Sequence, residues 1–97
     1  MRTYEVVYVV QPELDEEGLT GLLESVTQTI AANGGEMVKT EPMGRRRLAY
    51  DLGRHSEANY VLVHAKMERQ ALDELDRRLK LSEDVLRYLV VRLDETA

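Results

Sequence analysis

The chain contains no cysteine, which excludes a disulfide framework, a zinc ribbon and a thiol nucleophile. No apolar run approaches the roughly 20 residues of a membrane-spanning helix. Met1-Arg2 leads directly into an alternating segment, without the regions of a signal peptide. Neither export nor membrane insertion is expected, and the composition is that of a cytoplasmic protein. A basic excess is also missing: thirteen Lys and Arg stand against eighteen Asp and Glu, a net charge of −5, which argues against a simple electrostatic binder of nucleic acid. There is no phosphate-binding loop. Gly34-Gly35 follows a helical segment instead of joining a strand to a helix. The first strand-to-helix turn, Gln11-Pro12-Glu13-Leu14, holds neither the glycine nor the arginine of an anion cradle.

What is present suits one globular domain, residues 1–97, with one core: 43% of the residues are hydrophobic and 32% charged. Charge is unevenly spread. Residues 1–35 carry one basic and six acidic side chains, residues 36–67 six and four, and residues 68–97 six and eight. Thr3 to Val10 alternates as a strand, with Tyr4, Val6, Tyr8 and Val10 on one face. Asp15 is a candidate N-cap, followed by Glu16 and Glu17, and Leu19, Leu22, Leu23, Val26 and Ile30 then recur at helical spacing up to the stop at Asn33-Gly34-Gly35. Met37 to Leu52 is extended but loses phase, and Pro42 and Gly44 mark the natural place for a bulge. After a turn-like stretch, Gly53 to Glu57, Val61, Val63, Ala65 and Met67 alternate with Tyr60, Leu62, His64 and Lys66. Ala71, Leu72, Leu75 and Leu79 define a second amphipathic helix, and Val85 to Leu93 a closing strand.

The order strand, helix, strand, strand, helix, strand is that of an α+β, ferredoxin-like βαββαβ sandwich: a four-stranded antiparallel sheet with two helices on one face. The covered face takes Tyr4, Val6, Tyr8, Val10, Val61, Val63, Ala65 and Met67. The open face then carries Val7, Val9, Leu62, Leu89 and Val91 beside Glu5, His64, Lys66 and Arg87. Apolar surface of that extent on an open sheet marks a binding face, and these five residues are the candidate partner site.

Candidates for chemistry are few. His55 and His64 are the only histidines, with no second ligand at metal spacing, so no metal site is expected. No two carboxylates are singled out as an acid and base pair, and neither an enzymatic activity nor a cofactor is expected. Arg45-Arg46-Arg47 is the densest basic feature. Its alternating side chains fit charge protection of a sheet edge and nucleic-acid contact equally well. Tyr60 resembles the aromatic platform of an RNA-recognition motif, but Val61-Leu62-Val63-His64 lacks the second aromatic.

Three segments carry a family likeness. Arg2-Thr3-Tyr4-Glu5 with Pro12 after the strand, Gly44-Arg45-Arg46-Arg47-Leu48-Ala49-Tyr50, and Asp84-Val85-Leu86-Arg87-Tyr88 resemble the bacterial small-subunit ribosomal protein S-six family over residues 2–93. The most specific part falls on Gly44, Arg46, Leu48, Ala49 and Tyr50. The resemblance implies a ferredoxin-like, non-enzymatic protein of the cytoplasmic ribosome. It also implies pairing with ribosomal protein S-eighteen and binding to the central domain of 16S ribosomal RNA. Carried onto this chain, RNA contacts are expected at Arg2, Tyr4, Arg46, Arg87 and Arg92, and the isolated chain is expected to be a monomer. Two other classes share the topology: a homodimeric α+β barrel enzyme with His64 as base, and a small-ligand regulatory domain. Both require a stable dimer.

Overall fold

Period-two alternation after Arg2 produces β1 (Arg2–Val10), and the loss of the backbone donor at Pro12 coincides with its end. The computed structural model describes residues 1–93. After β1 come α1 (Glu16–Ala32), β2 (Glu36–Leu52), β3 (His55–Met67), α2 (Arg69–Leu81) and β4 (Val85–Arg92). The four strands form one sheet in the spatial order β2-β3-β1-β4, each neighbouring pair antiparallel. This is the expected ferredoxin-like α+β arrangement.

Both helices start and stop where local chemistry dictates. The Asp15 carboxylate accepts the Gly18 N–H at 2.7 Å, with Glu16 and Glu17 in the first turn beside the positive end of the helix dipole. At the other end the Gly35 N–H donates to the Ile30 carbonyl at 2.8 Å and the Gly34 N–H to Ala31 at 3.1 Å. This pair of bonds requires a left-handed residue, which Gly34 supplies at φ +81° without a Cβ penalty. Leu22, Val26 and Ile30 of α1 and Ala71, Leu75 and Leu79 of α2 are buried against Val6, Tyr8, Val10, Val61, Val63, Ala65 and Met67. The core therefore lies between the helices and one sheet face, as the alternation implies, with Tyr4 half-buried at its margin.

A polar tie closes the layer from α2 to the edge strand β4. The Tyr88 hydroxyl donates to Asp76 Oδ1, while Lys80 Nζ lies 3.1 Å from Asp76 Oδ2. Burial first, and then the bond to Asp76, push the Tyr88 phenol up to about 12 from an ordinary 10.0. The same bond, followed by Lys80, holds the Asp76 carboxyl below its ordinary value. A phenol raised in the folded state stabilises the fold fully below pH 10 and loses that contribution as the pH climbs toward 12, because the unfolded chain ionises first. Tyr88→Phe is therefore expected to make the fall in thermal midpoint between pH 10 and 12 shallower. An unchanged alkaline slope would contradict the tie.

The β2–β3 hairpin departs from the simplest reading. A register shift does fall between Pro42 and Gly44, and Gly44 takes φ +83° there, a conformation closed to most side chains. Two further shifts, between Met37 and Lys39 and between Arg47 and Leu52, went unmarked in the sequence. The stretch Gly53 to Glu57 is not all turn. Only Gly53-Arg54 connects the strands, and β3 begins at His55. Ser56 and Glu57 look loop-like because the hairpin there stands beyond the sheet, where both faces meet water.

Candidate binding surface on the open sheet face

In antiparallel pairing, residues directly opposite one another share a face. β1 is flanked by β3 and β4, so its two registers define rows across the uncovered side. These are His64–Glu5–Val91, Leu62–Val7–Leu89 and Tyr60–Val9–Arg87. All five residues expected to form the partner site, Val7, Val9, Leu62, Leu89 and Val91, are on this face. Leu89 is 60% exposed and Val91 42%, Val7 and Leu62 are half-buried, and Val9 retains only 5%. A shallow groove of about 230 Å³ runs along Val7, Val9, Tyr60, Arg87, Tyr88 and Leu89. One polar pair interrupts the apolar rows: His64 Nε2 lies 3.0 Å from Glu5 Oε1. Each satisfies the other, which lowers the cost of covering them.

At one end of this face the hairpin forms an arm. Pairing of β1 with β3 stops at Val10–Asn59, whereas β2 and β3 continue together through Arg46–Ala58 and Arg47–Glu57 to Leu52–His55. Four residues of β2, Leu48 to Asp51, stand opposite the single residue Ser56, so three are in excess. The bulge carries Leu48, Ala49 and Tyr50 over the open face. There, with Leu52, Tyr60 and Arg87, they line a second groove of about 110 Å³. Arg87 Nη1 donates to the Tyr50 hydroxyl at 2.7 Å. Tyr60 and Arg87 line both grooves.

The basic residues fall into two groups. Arg46, opposite Ala58, is on the open-face side of the arm and forms no ion pair among the described residues. Arg45 faces the other way, with Nε 3.4 Å from Glu57 Oε1 and Nη2 donating to the Pro12 carbonyl at 3.3 Å. Arg46 and Arg87 thus share one end and one side of the sheet. The remaining candidates do not join them. Arg2 is paired with the buried Met67, and Tyr4 with both Ala65 and Arg92, so Arg2, Tyr4 and Arg92 are on the helix side. They stand at the opposite end of β1, about 17 Å from Val9 for Tyr4 and Arg92 and about 23 Å for Arg2, at about 3.3 Å per residue. Tyr50 closes the Gly44–Tyr50 run, the one signal in the sequence that points to it, and is 63% exposed. What the sequence could not show was that the bulge brings it to β4.

Among the described residues no three His, Asp or Glu side chains converge as a metal site. His64 opens onto the sheet face and not into an enclosed cleft. The groove on the outer side of α1 is lined by Glu16, Glu17 and Glu24, a surface that repels phosphate.

Comparisons with known proteins agree with this architecture. The profile of the family described as Ribosomal protein S6 matches residues 3–92. The small ribosomal subunit protein bS6 of Moorella thermoacetica is 43% identical over 97 residues, 100% of this chain and 99% of its own. That of Mycolicibacterium paratuberculosis is 41% identical over 95 residues, covering 98% of this chain and 99% of its own. The crystal structure of 30S ribosomal protein S6 from Thermotoga maritima matches with a TM-score of 0.89 at 28% identity, over 95% of this chain and 87% of that one. The C-terminal domain of the MgtC protein from Mycobacterium tuberculosis, at a TM-score of 0.68 and 15% identity over 97% of this chain and 89% of that one, shares the fold alone. With its profile matched from the first strand to the last, and with relatives above 40% identity along nearly their whole length, the chain belongs to the ribosomal protein S6 family.

Proposed function

We propose that this chain is a structural component of the small ribosomal subunit that catalyses no reaction and binds the central domain of 16S ribosomal RNA jointly with ribosomal protein S-eighteen. As a family member it works in the cytoplasmic ribosome, and no described helix is long and apolar enough to cross a membrane. The observation that carries the reading is the row Leu62–Val7–Leu89 with Val91 beside it, apolar and uncovered on the sheet face opposite the helices. A protein partner covers that face through Val7, Leu62, Leu89 and Val91, which form the apolar centre of an interface with a charged rim, while Val9, expected among them, is already buried beneath the face and backs it from within. RNA contact is served from two ends, by Arg46 and Arg87 on the hairpin side and by Arg2, Tyr4 and Arg92 at the far end of β1.

The competing classes need the same face for a second copy of the chain. Size-exclusion with light scattering therefore separates the readings. The isolated chain is expected as a monomer of 11.1 kDa, and affinity capture from a bacterial lysate is expected to recover small subunits only when ribonuclease is omitted. A stable dimer through the open face, with no ribosomal material captured, would favour the barrel or regulatory reading.

A further inference from the structure

The arm is longer than its turn requires. Gly53-Arg54 alone reverses the chain, yet β2 carries three residues in excess just before it, and the effect of the excess is to bring Tyr50 across the open face to Arg87. Arg87 has its own place in the sheet, opposite Val9, so its backbone is fixed by β1 while its guanidinium reaches the arm. The arm's other ties to the body are on the helix side: Arg45 to the Pro12 carbonyl at 3.3 Å and Arg54 Nη2 to Glu13 Oε1 at 3.9 Å, both between exposed groups. A hydrogen bond of 3.3 Å and an exposed ion pair of 3.9 Å fix little. A charged donor at 2.7 Å on a phenol oxygen is a stronger and more directional tie. On the open-face side it is the one side-chain hydrogen bond between the arm and β4 among the described residues.

We infer that Arg87 and Tyr50 are a positioning pair: their hydrogen bond holds the β2–β3 arm over the open face and sets where Arg46 stands relative to a docked partner and its RNA. This rests on the joint-binding reading above and replaces one part of it: Arg87, given there as an RNA contact, acts through Tyr50 instead. One N–H of the Arg87 guanidinium is held by Tyr50, whereas Arg46, on the same side of the arm, forms no side-chain hydrogen bond or ion pair among the described residues. Holding the arm in place before binding removes the cost of ordering it at the moment of association. Loss of one hydrogen bond to a charged group is expected to weaken joint binding roughly tenfold.

The test is a double-mutant cycle on the full chain with its basic partner and a central-domain RNA fragment, titrated at several salt concentrations, with amide exchange of residues 45–57 measured on the chain alone. Tyr50→Phe and Arg87→Ala are each expected to weaken binding about tenfold, and the double variant no further, since both remove one shared bond. The slope of log affinity against log salt is expected to stay unchanged in all three, while Arg46→Ala lowers it by about one. Exchange in the arm is expected to quicken in both single variants. The inference is overturned if the two effects multiply, if Arg87→Ala lowers the salt slope by about one, or if Tyr50→Phe leaves arm exchange unchanged. Absence of joint binding by the unaltered pair would instead sink the reading beneath it. Arm exchange would still decide the pinning.

Discussion

Leu89→Asp is expected to abolish joint RNA binding by the chain and its basic partner while leaving the domain folded. Leu89 is 60% exposed and lies on the sheet face opposite the core, so the substitution leaves the packing of Val6, Tyr8 and Val10 against the helices untouched. Surface changes of this kind stay within about 0.5 kcal/mol of neutral. The consequence for docking is of a different order. Leu89 continues the row from Leu62 through Val7, and a partner seated on that row has to strip water from whatever occupies position 89. Burying a carboxylate without a designed counter-ion costs several kcal/mol, a loss of at least about a hundredfold in affinity. The measurement is thermal unfolding alongside a gel shift of the joint complex. An unchanged midpoint with no shifted band is the expected pair of results.

The sheet faces and helix stripes were legible because burial imposes a period of two on strands and of 3.6 on helices. Val61, Val63, Ala65 and Met67, or Leu75 and Leu79, therefore announce which side they bury. The bulge at Pro42–Gly44 was legible for a chemical reason, since proline lacks a donor and glycine alone takes the left-handed backbone there easily. The shifts beside Val38 and between Arg47 and Leu52 left no such mark, because a bulge accepts almost any side chain and most of the arm is exposed, with only Ala58 fully buried to hold a phase. That hidden register is what decides the candidate site, for it alone brings Tyr50 to Arg87 across 37 residues of sequence. The resemblance grouped Arg2, Tyr4, Arg46, Arg87 and Arg92 as one set. The registers distribute them over two ends and two sides of the sheet.

Charge sets the remaining expectation. Phosphate binding is driven by release of counterions in proportion to the phosphates neutralised, and this chain offers scattered arginines against a net charge of −5. Several of its basic groups also stand beside carboxylates that offset their field, Arg45 by Glu57, Arg69 by Asp73, Arg77 by Glu74 and Lys80 by Asp76. Affinity for RNA on its own is therefore expected to be low. A basic chain seated on the open face offsets the unfavourable field and extends the positive surface from Arg46. It also turns two weak contacts into one linked event, whose strength exceeds the separate affinities by about 10² or more. The most direct measurement is a titration of a labelled central-domain fragment of 16S ribosomal RNA at physiological salt with this chain, with the S-eighteen partner, and with an equimolar mixture. The expected result is little specific binding by this chain alone and tight binding by the mixture. Tight, specific binding by the isolated chain, or a mixture no stronger than the better of its components, would contradict the account.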